Sequence, residues 1–111
     1  MNDDTSTPEV DVLEAKERID GGALLLDVRE KSEFDEARIP GSLLIPLGEL
    51  AGRQEELPKD RDIMVHCRSG ARSARAAQYL NVQGYRATNM AGGILAWKEA
   101  ELPVEPGKEA G

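Results

Sequence analysis

The chain reads as a single α/β domain, a central parallel sheet covered by helices on both faces. Three observations carry that reading. "ALLLDV" (23–28), "SLLIP" (42–46) and "DIMVHC" (62–67) are short continuous apolar runs, the pattern of strands buried on both sides. Stretches of helical spacing fall between them, and strands alternating with helices imply a parallel sheet. The length of 111 residues suffices for one core but not for two.

In chain order, residues 1 to 9 are acidic and polar and read as a flexible tail. Asp11 with Glu14 fits a helix-opening cap; Val12, Ala15 and Ile19 then share one face, and Gly21-Gly22 stop the helix. The strand 23–28 follows, then a short charged helix near 31–37, the strand 42–46 and a helix near 47–52. The strand 62–67 leads into a longer helix from about 71 to 83. "YRATNM" (85–90) is a weaker fourth strand, and a last helix lies near 93–100. "PVEPGKEAG" reads as a second tail, so the ordered domain spans 10–103 and the tail 104–111.

Composition narrows the function. The apolar share is 40% and the charged share 32%, the balance of a folded soluble domain. No apolar run reaches the roughly 18–20 residues of a membrane span, and the acidic start is unlike a secretory leader. One cysteine excludes an internal disulfide and offers no zinc pattern. A reducing, cytoplasmic setting is the expectation.

The net charge of −7 disfavours nucleic acid and anionic membranes as partners. Its distribution says more. From Ile63 to Lys98 there is no Asp or Glu, while Arg68, Arg72, Arg75, Arg86 and Lys98 give +5, so the remainder carries −7 − 5 = −12. One basic third in an acidic chain suits a small anion, although burial alone would also deplete carboxylates there.

The sole cysteine and sole histidine sit together in "HCRSGARS" (66–73). A buried strand ends at Cys67, Gly70 permits a tight turn, and a helix begins at Ala71 to Ser73. Loops at the carboxyl ends of parallel strands are where such folds place sites. A loop curling around its first residue points backbone N–H groups inward and forms a nest for an anion, and the helix N-terminus adds unpaired donors. Lowering a thiol pKa by two units takes about 2.7 kcal/mol, more than the roughly 0.3–1 kcal/mol of a helix dipole. Loop N–H groups and Arg68 or Arg72 are expected to supply the rest. Cysteine phosphatases separate Cys from Arg by five residues; here four residues stand between Cys67 and Arg72. The ring is one residue too short for that signature, and a smaller ring could instead cradle a persulfide, whose outer sulfur is also partly anionic.

"LLLDVREKSEF", "RIPGSLLIP", "DIMVHCRSGARSARAAQYLNVQGY" and "NMAGGILAW" together resemble the rhodanese family, in particular its single-domain sulfurtransferases, over Val10 to Pro103. The resemblance implies about five parallel strands flanked by helices. It implies that Cys67 takes the sulfane sulfur of thiosulfate as a persulfide, releases sulfite, and passes the sulfur to cyanide or to a thiol or sulfur-carrier acceptor, itself a small molecule or a protein. Arg68, Ser69, Gly70, Ala71, Arg72 and Ser73 then complete the active-site loop, and no metal or organic cofactor is required. Where many members read "HIPGA" this chain has Arg38 and Ser42, and Leu44 stands where Asn is common.

Other readings stay open. Phosphatase or arsenate reductase chemistry uses the same scaffold, and a carrier or interaction module would load sulfur without turnover. Asp27 and Arg29 are supporting candidates near the site, with Arg29 expected to pair with Glu33 across one helical turn. His66 should face away from Cys67 along the strand and reads as structural. Ser69 and Ser73 are helix-cap candidates, Gly92-Gly93 reads as a tight connection, and Trp97 as core.

Overall fold

The computed structural model describes residues 7–106. Five parallel strands form one sheet, β1 (Glu9–Val10), β2 (Leu24–Asp27), β3 (Leu43–Leu44), β4 (Asp62–His66) and β5 (Arg86–Met90), in the order β1-β5-β4-β2-β3. The helices are α1 (Val12–Asp20), α2 (Lys31–Glu36), α3 (Leu50–Arg53), α4 (Ala71–Val82) and α5 (Gly93–Glu99).

The continuous apolar runs have a simple cause: β2 and β4 are covered on both sides. Leu26, Ile63 and Val65 face a layer containing Leu50, Ala76, Ala77 and Leu80 from α3 and α4. Leu25 and Met64 face the opposite layer, with Val12 and Ala15 of α1 and Ile94 and Trp97 of α5. Each fully buried side chain of this kind contributes roughly 1.5–3 kcal/mol, so these two layers dominate the stability. Trp97 is 2% exposed and its indole N–H donates to the Pro103 carbonyl at 2.8 Å.

Asp11 caps α1 by accepting the Glu14 N–H at 2.9 Å, as its spacing suggests. The stretch 47–52 is less regular than expected. A 3₁₀ turn at Leu47–Glu49 precedes α3, and a second at Gln54–Glu56 follows it. Gly48 and Gly52 lie in this stretch and disfavour a continuous helix.

Both expected tails are tied down at their inner ends. Glu9 and Val10 pair with Asn89 and Met90, and the Asn89 N–H donates to the Pro8 carbonyl at 2.8 Å. The chain edge thus gains a strand because β5 would otherwise leave its outer amides unpaired. At the other end, Arg38 and Glu105 exchange backbone hydrogen bonds at 2.9 and 2.8 Å and form an ion pair at 3.3 Å. The remaining tail positions, 1–6 and 107–111, lie outside the described residues. Among the described residues, no helix is long and apolar enough to cross a membrane.

Candidate active site

Cys67 follows β4 directly, at the carboxyl end of the sheet, in the same core layer as Ile63 and Val65. It is 1% exposed and is a free thiol. After it the chain reverses through Arg68, Ser69 and Gly70 into α4. Gly70 has φ 112°, a conformation open to glycine without steric cost. Its N–H donates to Cys67 Sγ at 3.1 Å, and Ser73 Oγ lies 3.4 Å from the same sulfur.

The loop holds this shape because α5 takes its carbonyls. The Ile94 N–H donates to the Cys67 carbonyl at 2.9 Å and the Leu95 N–H to the Arg68 carbonyl at 3.2 Å. With those oxygens engaged outside, the amides of the loop are left to face the sulfur. Gly93 permits the approach. A Cβ there would lie 2.4 Å from the Arg68 carbonyl oxygen and 2.5 Å from that of Cys67. Gly92-Gly93 is therefore more than a tight connection; it is the seat of the loop.

Burial pushes the Cys67 thiol up. The Ser73 hydroxyl and the backbone N–H groups of Ser73, Gly70 and Ser69 outweigh it, and the thiol pKa falls below its ordinary value. Hydrogen bonds to charged groups contribute about 1.5–3 kcal/mol each, so several suffice where a helix dipole does not.

Ser73 is buried inside the site rather than capping α4, whose N-cap is Gly70 with no side-chain cap bond. Its single proton has three acceptors in reach: Asn89 Oδ1 at 2.5 Å, the Gly70 carbonyl at 3.2 Å and the Cys67 sulfur. Asn89 also donates from Nδ2 to the Gly70 carbonyl at 3.3 Å and to Glu9 Oε1 at 3.0 Å. Asn89 escapes the sequence reading because it lies in the weakest strand candidate. Ser69 does not cap the helix either; it is exposed and turns its N–H to the sulfur. Ala71 opens α4 and is exposed.

The arginines divide. Arg68 is exposed and has no ion pair among the described residues. Arg72 is half-buried and forms a two-point bridge with Glu33 of α2, at 2.8 and 2.9 Å. Glu33 is thereby taken from Arg29, its expected partner. Arg29 instead grips Asp27 through bonds of 2.8 to 3.1 Å and reaches the Ala37 carbonyl at 2.8 Å. With side-chain exposures of 5% and 0%, this is a buried pair supporting the end of β2. Asp27 and Arg29 spend their bonds on each other and on the backbone.

His66 is fully buried, with Nδ1 3.3 Å from the Cys67 carbonyl and Nε2 3.6 Å from Asp27 Oδ2. Among the described residues, its Nε2 has no hydrogen-bond partner. Burial lowers its pKa against the pull of Asp27, which favours the neutral imidazole.

Residues 11–100 match the family model described as Rhodanese-like domain. A protein named sulfurtransferase from Allochromatium vinosum is 46% identical over 82 residues, covering 73% of this chain and 77% of that one. Thiosulfate sulfurtransferase 18 of Arabidopsis thaliana is 35% identical over 116 residues, covering 90% and 85%. Among solved structures, the rhodanese-related protein of Thermoplasma volcanium aligns with a TM-score of 0.84 at 33% identity, covering 88% of this chain and 97% of that one.

Proposed function

The chain belongs to the rhodanese-like domain family, and from that premise we propose that it is a sulfurtransferase whose carrier is a persulfide on Cys67. The observation that carries the reading is the convergence of the Gly70 N–H, the Ser73 hydroxyl and neighbouring amides on one sulfur. Such a ring stabilises negative charge on sulfur in the thiolate and again in the persulfide. Relatives named sulfurtransferase and thiosulfate sulfurtransferase support the reaction class.

Thiosulfate is the donor we propose. The Cys67 thiolate attacks the outer sulfur of thiosulfate, the new bond forms between Sγ and that sulfur, and sulfite leaves with the electron pair of the broken S–S bond. Total charge is −3 on both sides. Cyanide or a thiolate then attacks the outer sulfur and returns the Cys67 thiolate; with cyanide the product is thiocyanate. Burial of Cys67 suits this sequence. The transferred atom extends about 2 Å beyond Sγ, so an acceptor reaches the outer sulfur without reaching Sγ itself.

The loop also argues against phosphoryl chemistry, since four rather than five residues separate Cys67 from Arg72 and leave a smaller ring. One thiol cycling through a persulfide must be kept reduced between turns, which the cytoplasm does. The test is incubation with thiosulfate, mass spectrometry for one added sulfur, and thiocyanate release on adding cyanide. Loading with release at many equivalents is the expected result. Loading with a single stoichiometric release would identify a carrier, and no loading would refute the proposal.

A further inference from the structure

Arg72 stands in the first turn of α4, just after the Cys67 loop, yet its charge is already answered. Both terminal nitrogens of its guanidinium meet the two oxygens of Glu33, at 2.8 and 2.9 Å. The pair lies at the surface edge of the site, with side chains 33% and 26% exposed. Glu33 is itself anchored, because its Oε1 accepts the Glu30 N–H at 2.9 Å in the capping box that opens α2. The Glu33 bridge raises the Arg72 pKa, and the Cys67 charge adds to this across space. A donor arriving at Cys67 therefore meets Arg72 as one half of a neutral ion pair and not as a lone cation.

We propose that Glu33 is a specificity-determining residue that sets how strongly the site prefers a doubly charged sulfur donor over a singly charged one. The proposal rests on the sulfurtransferase reading above. By cancelling Arg72, Glu33 flattens the preference, so that monoanionic sulfane donors are accepted almost as readily as thiosulfate. Two oppositely charged groups a few ångströms apart act on a third charge as a weak dipole, whereas a lone guanidinium acts as a full unit charge. At roughly 8 Å, with an effective dielectric constant of about 40–80, one unit charge discriminates a dianion from a monoanion by about 2- to 5-fold.

Thiosulfate and methanethiosulfonate are the probes. Each offers an outer sulfur bonded to a sulfonyl sulfur, but a methyl group replaces one charged oxygen in the second. With methanethiosulfonate the Cys67 thiolate takes the outer sulfur, and methanesulfinate leaves with the electron pair of the broken S–S bond. The readout is the ratio of kcat/KM for thiosulfate to that for methanethiosulfonate, with cyanide as common acceptor. In a double-displacement scheme this reports the first transfer alone.

Glu33→Gln should raise the ratio about 2- to 5-fold, and the gain should collapse in about 1 M salt, where the Debye length is ~3 Å. Glutamine still accepts the Glu30 N–H at this capping-box position, which preserves α2. Arg72→Gln, which leaves Glu33 unopposed, should push the ratio below wild type. An unchanged or lowered ratio in Glu33→Gln would overturn the proposal; should that variant fail to fold, a ratio that does not fall in Arg72→Gln overturns it alone. Wild-type protein that accepts sulfur from neither donor would instead defeat the sulfurtransferase reading beneath it.

Discussion

Ile94 donates its backbone N–H to the Cys67 carbonyl at 2.9 Å, which ties the start of α5 to the residue at the centre of the site. The contact turns that carbonyl away from the sulfur. It makes the geometry of the loop depend on a helix more than 20 positions further along the chain.

Gly93→Ala tests that dependence. The added Cβ would meet the Arg68 and Cys67 carbonyls at 2.4–2.5 Å in a backbone conformation at φ 60°. Strain of this kind costs about 1–3 kcal/mol before any clash is counted, so chemical denaturation should show a loss of at least that size. The rate of thiol alkylation as a function of pH should shift its midpoint upward, because carbonyls displaced from α5 disturb the ring of amides.

Ser73→Ala removes the hydroxyl donor to Cys67 and leaves Asn89 Oδ1 buried without its partner. The thiol pKa should rise toward its ordinary value, and the alkylation profile should move to higher pH. Stability should fall by about 1–3 kcal/mol for the orphaned amide oxygen. Ser73→Thr keeps the hydroxyl, and its alkylation profile should stay nearer wild type than that of Ser73→Ala.

Acid titration of stability should reveal the Glu33–Arg72 bridge. The Arg72 side chain holds the Glu33 carboxyl at about 2, below its ordinary 4.5. A carboxylate depressed by folding stabilises the native state fully above the unfolded pKa and loses that contribution as pH falls through the folded one. Between about pH 4.5 and pH 2 the wild type should therefore lose stability faster than Glu33→Gln, as followed by denaturant unfolding at each pH. Parallel curves would show that the bridge does not act in solution.

Arg29→Ala strips the partner from an Asp27 carboxylate that is 0% exposed. Breaking a buried pair from one side typically costs about 3–5 kcal/mol. The expected phenotype is lost expression or a lowered melting temperature, in contrast to a folded protein with altered kinetics. Arg29→Lys should rescue poorly, since one ammonium does not reproduce the fork on Asp27 together with the bond to Ala37.

Much of this architecture was legible in the sequence for identifiable reasons. The strands β2 and β4 are continuous apolar runs because helices cover both their faces, and α1 announces itself through Asp11 and Gly21-Gly22. The Cys67 loop was legible because a glycine stands where the chain reverses between a buried strand and a helix. What escaped depends on contacts between distant segments. β1 consists of two residues that are extended through pairing with β5, so no local pattern marks it. Spacing offered Glu33 only Arg29, and the fold brings it Arg72 instead, from a segment far along the chain. The Gly-Gly doublet reads in sequence as a tight connection only, and its approach to the Cys67 and Arg68 carbonyls comes from the fold.

The most direct measurement is the mass of the intact protein after thiosulfate treatment, taken with wild type and Cys67→Ser side by side. Wild type is expected to gain one sulfur, located on Cys67 by peptide mapping and removed by cyanide as thiocyanate, and Cys67→Ser to gain none. A wild-type mass that does not change, or an equal gain in Cys67→Ser, would rule out a persulfide on Cys67.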